Sequence, residues 1–223
     1  MTFRNDFLWG EFETFKSSFY TEIFEKNLYE YHRPVGKGDI VVDIGASVGI
    51  FTESIINKNP KHVYCVEPHP PHYEILKHNM RNYSNVTCIP IGISSSSGEQ
   101  IFDTAVHGQK SPMECITFKQ FIQIFEIDHI DFLKLDCEGG EYSILSEESI
   151  DKVSKLAKYI SAEVHLSLHH GLKADFAYFR ESVLKYTNNF DIRAHCGTPI
   201  KWDLYNQHFI DRYNEVHLYI DNT

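Results

Sequence analysis

Short β-branched runs alternate with helical stripes along most of this 223-residue chain, and that alternation restricts the fold more than any other feature. Asp39 to Ile44, His62 to Val66, Val86 to Ile91, Ile130 to Asp136 and Tyr159 to Leu166 each read as a buried strand bounded by turn residues. Between them, apolar residues recur every three or four positions, as one face of a helix requires. The stripes are Val48, Phe51, Ile55 and Ile56; Tyr73, Leu76, Met80 and Tyr83; Phe118, Phe121, Ile122 and Phe125; and Leu172, Phe176, Phe179 and Val183. Pro70 and Pro71 suit a first helical turn, and Thr117 with Gln120 forms a capping-box start. Strands separated by helices are joined by crossovers rather than tight turns, so an α/β fold is expected, with a mostly parallel sheet covered on both faces.

The ends of the chain add less regular elements. Phe12, Phe15, Phe19 and Ile23, continued by Phe24, Leu28 and Tyr31, predict one amphipathic helix ending before Pro34. Residues 1–34 are therefore expected to be a helical extension of a single domain spanning 1–223. A short helix is expected after Gly140, and alternating runs at Phe190 to Cys196 and Val216 to Ile220 close the sheet. Residues 92–116 read as irregular, with a short hairpin through Gln100 to Asp103.

Composition narrows the partners. Twenty-one Lys and Arg against 31 Asp and Glu give a formal charge of −10. This argues against nucleic acid, whose phosphates need clustered cations. No run of 18 apolar residues is present, and the start lacks the basic-then-apolar pattern of an export signal, so neither a membrane span nor secretion is expected. Five cysteines with none closely paired read as reduced thiols, and the expected location is cytoplasmic.

In doubly wound sheets ligands bind beyond the carboxyl ends of the strands. The first such end reads Asp43-Ile-Gly45-Ala46-Ser47-Val48-Gly49, a small-residue turn that lets a ligand approach the backbone and offers helix N–H groups to an anion. Its glycine spacing departs from the G-x-G-x-x-G of dinucleotide sites, so a nicotinamide-dependent oxidoreductase fits poorly. Glu67, at the second strand end, is placed to accept hydrogen bonds from both hydroxyls of a ribose. The fourth strand ends in Lys134-Leu-Asp136-Cys-Glu138-Gly-Gly-Glu141, and charge at that density is costly to bury without a use.

With these residues the sequence resembles the FkbM-type S-adenosylmethionine-dependent methyltransferases. The matching segments are VVDIGASVGIFT (41–52), YCVEPHP (64–70), PIGISSSSG (90–98) and FLKLDCEGGEYSIL (132–145). The resemblance implies a Rossmann-like, seven-stranded class I methyltransferase sheet with its last strand antiparallel, and O-methylation of a sugar or another hydroxylated small molecule. It further implies that Gly45, Ala46, Ser47 and Gly49 line the methionine part of the cofactor, with Asp43 near its amino group. Glu67 would then hold the ribose, Pro68, Gly92 and Ile93 would flank the adenine, and Asp136 would lie beside the sulfonium.

A methyl acceptor with a hydroxyl must also lose a proton. Asp136 and Glu138 follow the fourth strand, and Glu163 and His165 share one face of the fifth. His165 is the expected base, oriented by Asp136 or Glu163. The same four residues could hold a divalent cation, but the metal-free route is preferred, and no metal ligand is assigned. His169 and His170 are expected to face solvent, and His107 is a candidate substrate contact. The loop from Ser94 to Pro112 and the opening helix with Trp9 are candidates for covering the acceptor. The chain has no Asn/Asp-Pro-Pro-Tyr after the fourth strand, which favours oxygen over nitrogen as acceptor. A cofactor-binding module without catalysis is the competing reading from another class.

Overall fold

Strand-forming runs of four to nine residues supply most of the framework. The computed structural model describes residues 3–103, 110–146, 149–166, 172–185, 187 and 189–223. Ten strands are formed: β1 (Ile40–Ile44), β2 (His62–Val66), β3 (Val86–Ile89), β4 (Gly92–Ile93), β5 (Gly98–Asp103), β6 (Lys110–Ile116), β7 (Ile130–Leu135), β8 (Ala157–His165), β9 (Phe190–Ala194) and β10 (Glu215–Asp221). Seven build one sheet in the order β3-β2-β1-β7-β8-β10-β9. β10 runs antiparallel to both of its neighbours, while the pairs from β3 to β8 are parallel. Strand order reverses between β1 and β7, so the crevice for a ligand lies above their carboxyl ends.

Period-two alternation sends the strands' side chains into two apolar layers. Val42, Ile44, Leu133, Leu135, Ile160, Ala162 and Leu218 point to one, with Phe121, Ile144, Val153 and Phe176 from the helices over that face. Val41, Phe132, Tyr159 and Tyr219 point to the other, beneath Phe51, Ile55, Leu76 and Met80. Helices therefore cover both faces, as the alternation predicts. No helix among the described residues is long and apolar enough to cross a membrane.

Thr117 starts the helix Phe118–Ile124 with the expected capping box: its hydroxyl accepts from Gln120 N at 3.2 Å, and Gln120 Oε1 accepts from Thr117 N at 2.9 Å. Thr117→Ala should lower stability by about 1 kcal/mol. For a domain of this size thermal unfolding would show that as a fall of about 2–4 °C.

Three elements differ from the sequence reading. Residues 92–103 and 110–116 are more ordered than expected, because β4, β5 and β6 make a small second sheet in the order β4-β6-β5. The single short helix after Gly140 is two, Glu141–Ile144 and Ile150–Leu156. The opening stripe is not one helix reaching Tyr31. It is a 3₁₀ turn (Gly10–Phe15), one α turn (Lys16–Tyr20) and a π turn (Thr21–Glu25). Asn27, at φ 53°, ends it, and its side chain donates to Glu30 O at 3.2 Å. The stripe is real, since Phe12, Phe19 and Ile23 pack on the second apolar layer. Leaving the helix there lets Tyr29 turn into the sheet crevice.

Candidate active site

The turn after β1 brings its small residues to the crevice. Gly45 has φ 76°, and a Cβ built on it would lie 1.7 Å from the carbonyl oxygen of Asp136, so the ends of β1 and β7 approach backbone to backbone. The N–H groups of Gly45 and Ala46 both donate to Val66 O at 3.0 Å. Ser47 N donates to Glu67 Oε2 at 2.9 Å, and Gly49 N to Ala46 O at 2.8 Å. These four amides of the turn are thus bonded within the protein. A turn folded back this tightly satisfies its own donors, so it offers a ligand shape and close approach instead.

Glu67, 6% exposed, also accepts from His69 N through Oε1 at 2.8 Å. A carboxylate has about four acceptor positions. Two remain for a diol, so Glu67 fits a ribose. Burial pushes its pKa up, against the pull of the His69 and Ser47 amides. The N-terminal segment lies close by: Glu11 Oε1 meets His72 Nε2 at 2.6 Å, and the Phe12 ring sits 5.1 Å from that imidazole. Pro68 and Gly92 adjoin, since a Cβ on Gly92 would meet Pro68 Cβ at 3.6 Å and Cys115 Sγ at 2.7 Å. Ile93 is buried on β4.

Lys134 ties the turn to the fourth strand end. Its Nζ donates to Gly45 O at 2.8 Å and pairs with Asp43 Oδ1 at 3.2 Å and Asp136 Oδ2 at 3.4 Å. Burial alone would pull its pKa down; the Asp43 and Asp136 carboxylates outweigh this and raise it, so the ammonium is held charged. Asp43 is fully buried, with Oδ2 accepting from Thr52 at 2.9 Å, and its charge acts beneath the turn.

Beyond β7 and β8 lies a second charged group. The Tyr29 hydroxyl reaches Asp136 Oδ2 at 2.8 Å and Glu163 Oε2 at 3.1 Å. One hydroxyl hydrogen serves only one of them. Burial and then the Asp136 charge push the Glu163 pKa well up. For Asp136 burial acts upward, but Lys134 and His165 outweigh it and hold its pKa down. Asp136 and Glu138 keep a solvent side at 29% and 35% side-chain exposure.

The histidine's orienting partner is a correction. His165 was expected to be held by Asp136 or Glu163, but its Nε2 lies 4.0 and 3.9 Å from their oxygens, beyond hydrogen-bond reach. Glu141 Oε1 is the partner, 3.2 Å from Nδ1. Glu141 is itself fixed by accepting from Cys137 N at 2.7 Å and Gly139 N at 2.8 Å. Gly139, at φ 100°, allows the chain to wrap its carboxylate in this way. Burial would lower the His165 pKa, but Glu141, Glu138 and Asp136 raise it well above the usual range, so this imidazole keeps its proton unless the surrounding negative charge is reduced.

Three residues at the site escaped sequence reading. Glu141 closes the K-x-D-x-E-G-x-E run, and its distance from Asp136 in that run was the available signal. His217, polar between Val216 and Leu218, was visible as an interruption of the last strand; it is 1% exposed, and burial, then His195, pushes its pKa down to about 3. Tyr29 carried no local signal. His107, His169 and His170 lie outside the described residues.

A parallel sheet with a small-residue turn after its first strand, a ribose-fitting carboxylate after its second and an acidic group after its fourth defines a Rossmann-like class I methyltransferase. Comparison with known proteins agrees and is more specific. The model of the FkbM methyltransferase domain matches residues 43–187, and the chain belongs to this S-adenosylmethionine-dependent family. Among solved structures, a protein assigned as an rRNA methylase from Clostridium thermocellum matches with a TM-score of 0.52 at 13% identity, covering 99% of this chain and 97% of its own. Aeropyrum pernix fibrillarin, solved with natively bound S-adenosyl-L-methionine, matches with a TM-score of 0.51 at 13% identity, covering 87% and 72%. At such identities the likeness is one of fold. A search of curated proteins returns no match.

Proposed function

We propose that the protein methylates a hydroxyl of a small-molecule acceptor, a sugar or glycan being the class that fits. The observation that supports this reading is the contact between the Gly45 turn and Asp136, which brings the acidic group of β7 and β8 up to the turn that we assign to the cofactor. S-adenosylmethionine supplies a methyl on cationic sulfur: the acceptor oxygen forms the new C–O bond as the C–S bond breaks, sulfur keeps that electron pair, and the hydroxyl proton leaves.

The chain's own residues do the rest. Glu67 grips the ribose, while Gly45, Ala46, Ser47 and Gly49 shape the bed for the methionine part and Pro68, Gly92 and Ile93 flank the base. Asp43 acts through Lys134, holding the turn against Asp136. Glu138, Glu163 and the Glu141-oriented His165 surround the acceptor oxygen together with Asp136, which takes its proton. Their summed negative charge favours a cationic sulfur and a neutral acceptor, and the charge of −10 supports a small acceptor over nucleic acid.

Titration calorimetry with S-adenosylhomocysteine tests the cofactor assignment. Wild type should bind, and Glu67→Ala should weaken binding by roughly 100-fold or more, because two hydrogen bonds to a charged group are lost at about 1.5–3 kcal/mol each. Glu67→Gln should fall between. Binding of NAD with no affinity for S-adenosylhomocysteine would defeat the reading. With a methylated acceptor in hand, Asp136→Asn should abolish transfer while leaving the fold intact; binding without any transfer to hydroxylated acceptors would instead support the non-catalytic module.

A further inference from the structure

We infer that Asp136, Glu163 and His165 form a divalent-cation site, with the acceptor hydroxyl as a further ligand. The inference rests on the methyltransferase reading for its use, not for its geometry. It reverses the metal-free preference drawn from the residues alone.

The three groups converge with the wrong spacing for hydrogen bonds and a suitable one for coordination. Asp136 Oδ1 and Glu163 Oε1 lie 4.0 and 3.9 Å from His165 Nε2, and one ligand atom from each residue falls within 4.8 Å of the others. Oxygen and nitrogen atoms each about 2.0–2.2 Å from a shared ion stand roughly 3–4 Å apart.

The far atom of every ligand is already oriented. His165 Nδ1 meets Glu141 Oε1 at 3.2 Å, the carboxylate–histidine arrangement that fixes the tautomer of a metal-binding imidazole. The inner oxygens of Asp136 and Glu163 are both engaged by the Tyr29 hydroxyl, which leaves Oδ1 and Oε1 turned toward His165. Two outer residues, Glu141 and Tyr29, thus hold all three groups.

Buried imidazoles supply the independent evidence. His165 is 3% exposed, and its Nε2 faces three carboxylates, 3.7 Å from Glu138 Oε2, 3.9 Å from Glu163 Oε1 and 4.0 Å from Asp136 Oδ1. His217 is 1% exposed, neither ring nitrogen has a hydrogen-bond partner, and Nε2 lies 3.8 Å from Glu163 Oε2. Buried polar nitrogens left without partners are rare and costly. A cation at Glu163 would be bound by the first and would be a neighbour of the second.

Two carboxylates and an imidazole suit ions that accept both oxygen and nitrogen. Mn²⁺ is the probe. The solvent side at Asp136 and Glu138 leaves coordination positions for hydroxyls of the acceptor, where the ion would fix the oxygen in line with the methyl and make its proton easier to lose.

Chelator-stripped protein is titrated with Mn²⁺ while the free-ion electron paramagnetic resonance signal is followed, and S-adenosylhomocysteine affinity is measured on the same samples. One Mn²⁺ per chain is expected. Glu163→Gln and His165→Gln should each weaken it by roughly 100-fold, and Glu141→Gln by about 10- to 100-fold through the lost orientation. Glu99→Gln, at an exposed carboxylate on the small sheet, should change it less than about twofold. Retained S-adenosylhomocysteine binding shows that a variant is folded. If His165→Gln misfolds, the isosteric Glu163→Gln at the crevice rim decides. No stoichiometric Mn²⁺ binding by wild type, or equal binding by wild type and Glu163→Gln, overturns the inference. Wild type that binds Mn²⁺ at this site but no S-adenosylhomocysteine upholds the cation site and defeats the methyltransferase reading.

Discussion

Lys134→Met should destabilise the protein by about 3–5 kcal/mol, because removing the cation leaves two carboxylates facing each other in a buried place. Lys134 is 3% exposed; it donates to Gly45 O and pairs with Asp43 and Asp136. Thermal unfolding should fall by roughly 10 °C or more at this chain length. Adding Asp43→Asn to that variant should recover part of the loss, since it removes one of the two uncompensated charges, and the two effects should be far from additive. A Lys134→Met protein melting within about 2 °C of wild type would show that the ion network does not hold the β1 turn to β7.

Gly45→Ala should be equally severe, for a different reason. The added methyl would stand 1.7 Å from the Asp136 carbonyl oxygen and 2.6 Å from its carbon, and backbone on both sides leaves nothing soft to yield. Left-handed φ adds about 1 kcal/mol on its own. Gly38 isolates that smaller contribution: its φ is 87°, and a Cβ there would have nothing within 4 Å. Gly38→Ala should therefore cost about 1 kcal/mol and leave S-adenosylhomocysteine affinity unchanged. Gly45→Ala should either fail to fold or lose that affinity by roughly 100-fold or more, since β1 and β7 could no longer meet beside the cofactor. Equal melting temperatures and equal affinities in the two variants would refute the close approach.

Much of the framework was readable because sheet and helix impose local periods. The seven strands of the main sheet lie where β-branched runs fall between turn residues, and the helix from Phe118 to Ile124 begins at the capping box that Thr117 and Gln120 predict. The turn after β1 and the carboxylate after β2 were equally legible, since Gly45 and Glu67 each follow a strand directly. The opening stripe misled in its extent: apolar spacing records which side chains pack inward, and it does not reveal that Asn27 turns the chain out of the helix.

The chemistry beyond β7 and β8 was only half legible. Asp136, Glu138, Glu163 and His165 announced themselves at strand ends, whereas their partners depended on contacts distant in the chain. Tyr29 reaches Asp136 across 107 positions and Glu163 across 134, and its own neighbours carry no trace of that meeting. Glu141 took the orienting role because Gly139 lets the chain double back, a geometry that residue spacing leaves open. Sequence alone thus determined the mostly parallel sheet, its crevice and the carboxylate after the second strand, because strand period and strand-end position are properties of neighbouring residues. Tertiary structure decided which polar atoms face one another, because hydrogen bonds and ion pairs depend on ångström-scale distances that only the packed sheet fixes.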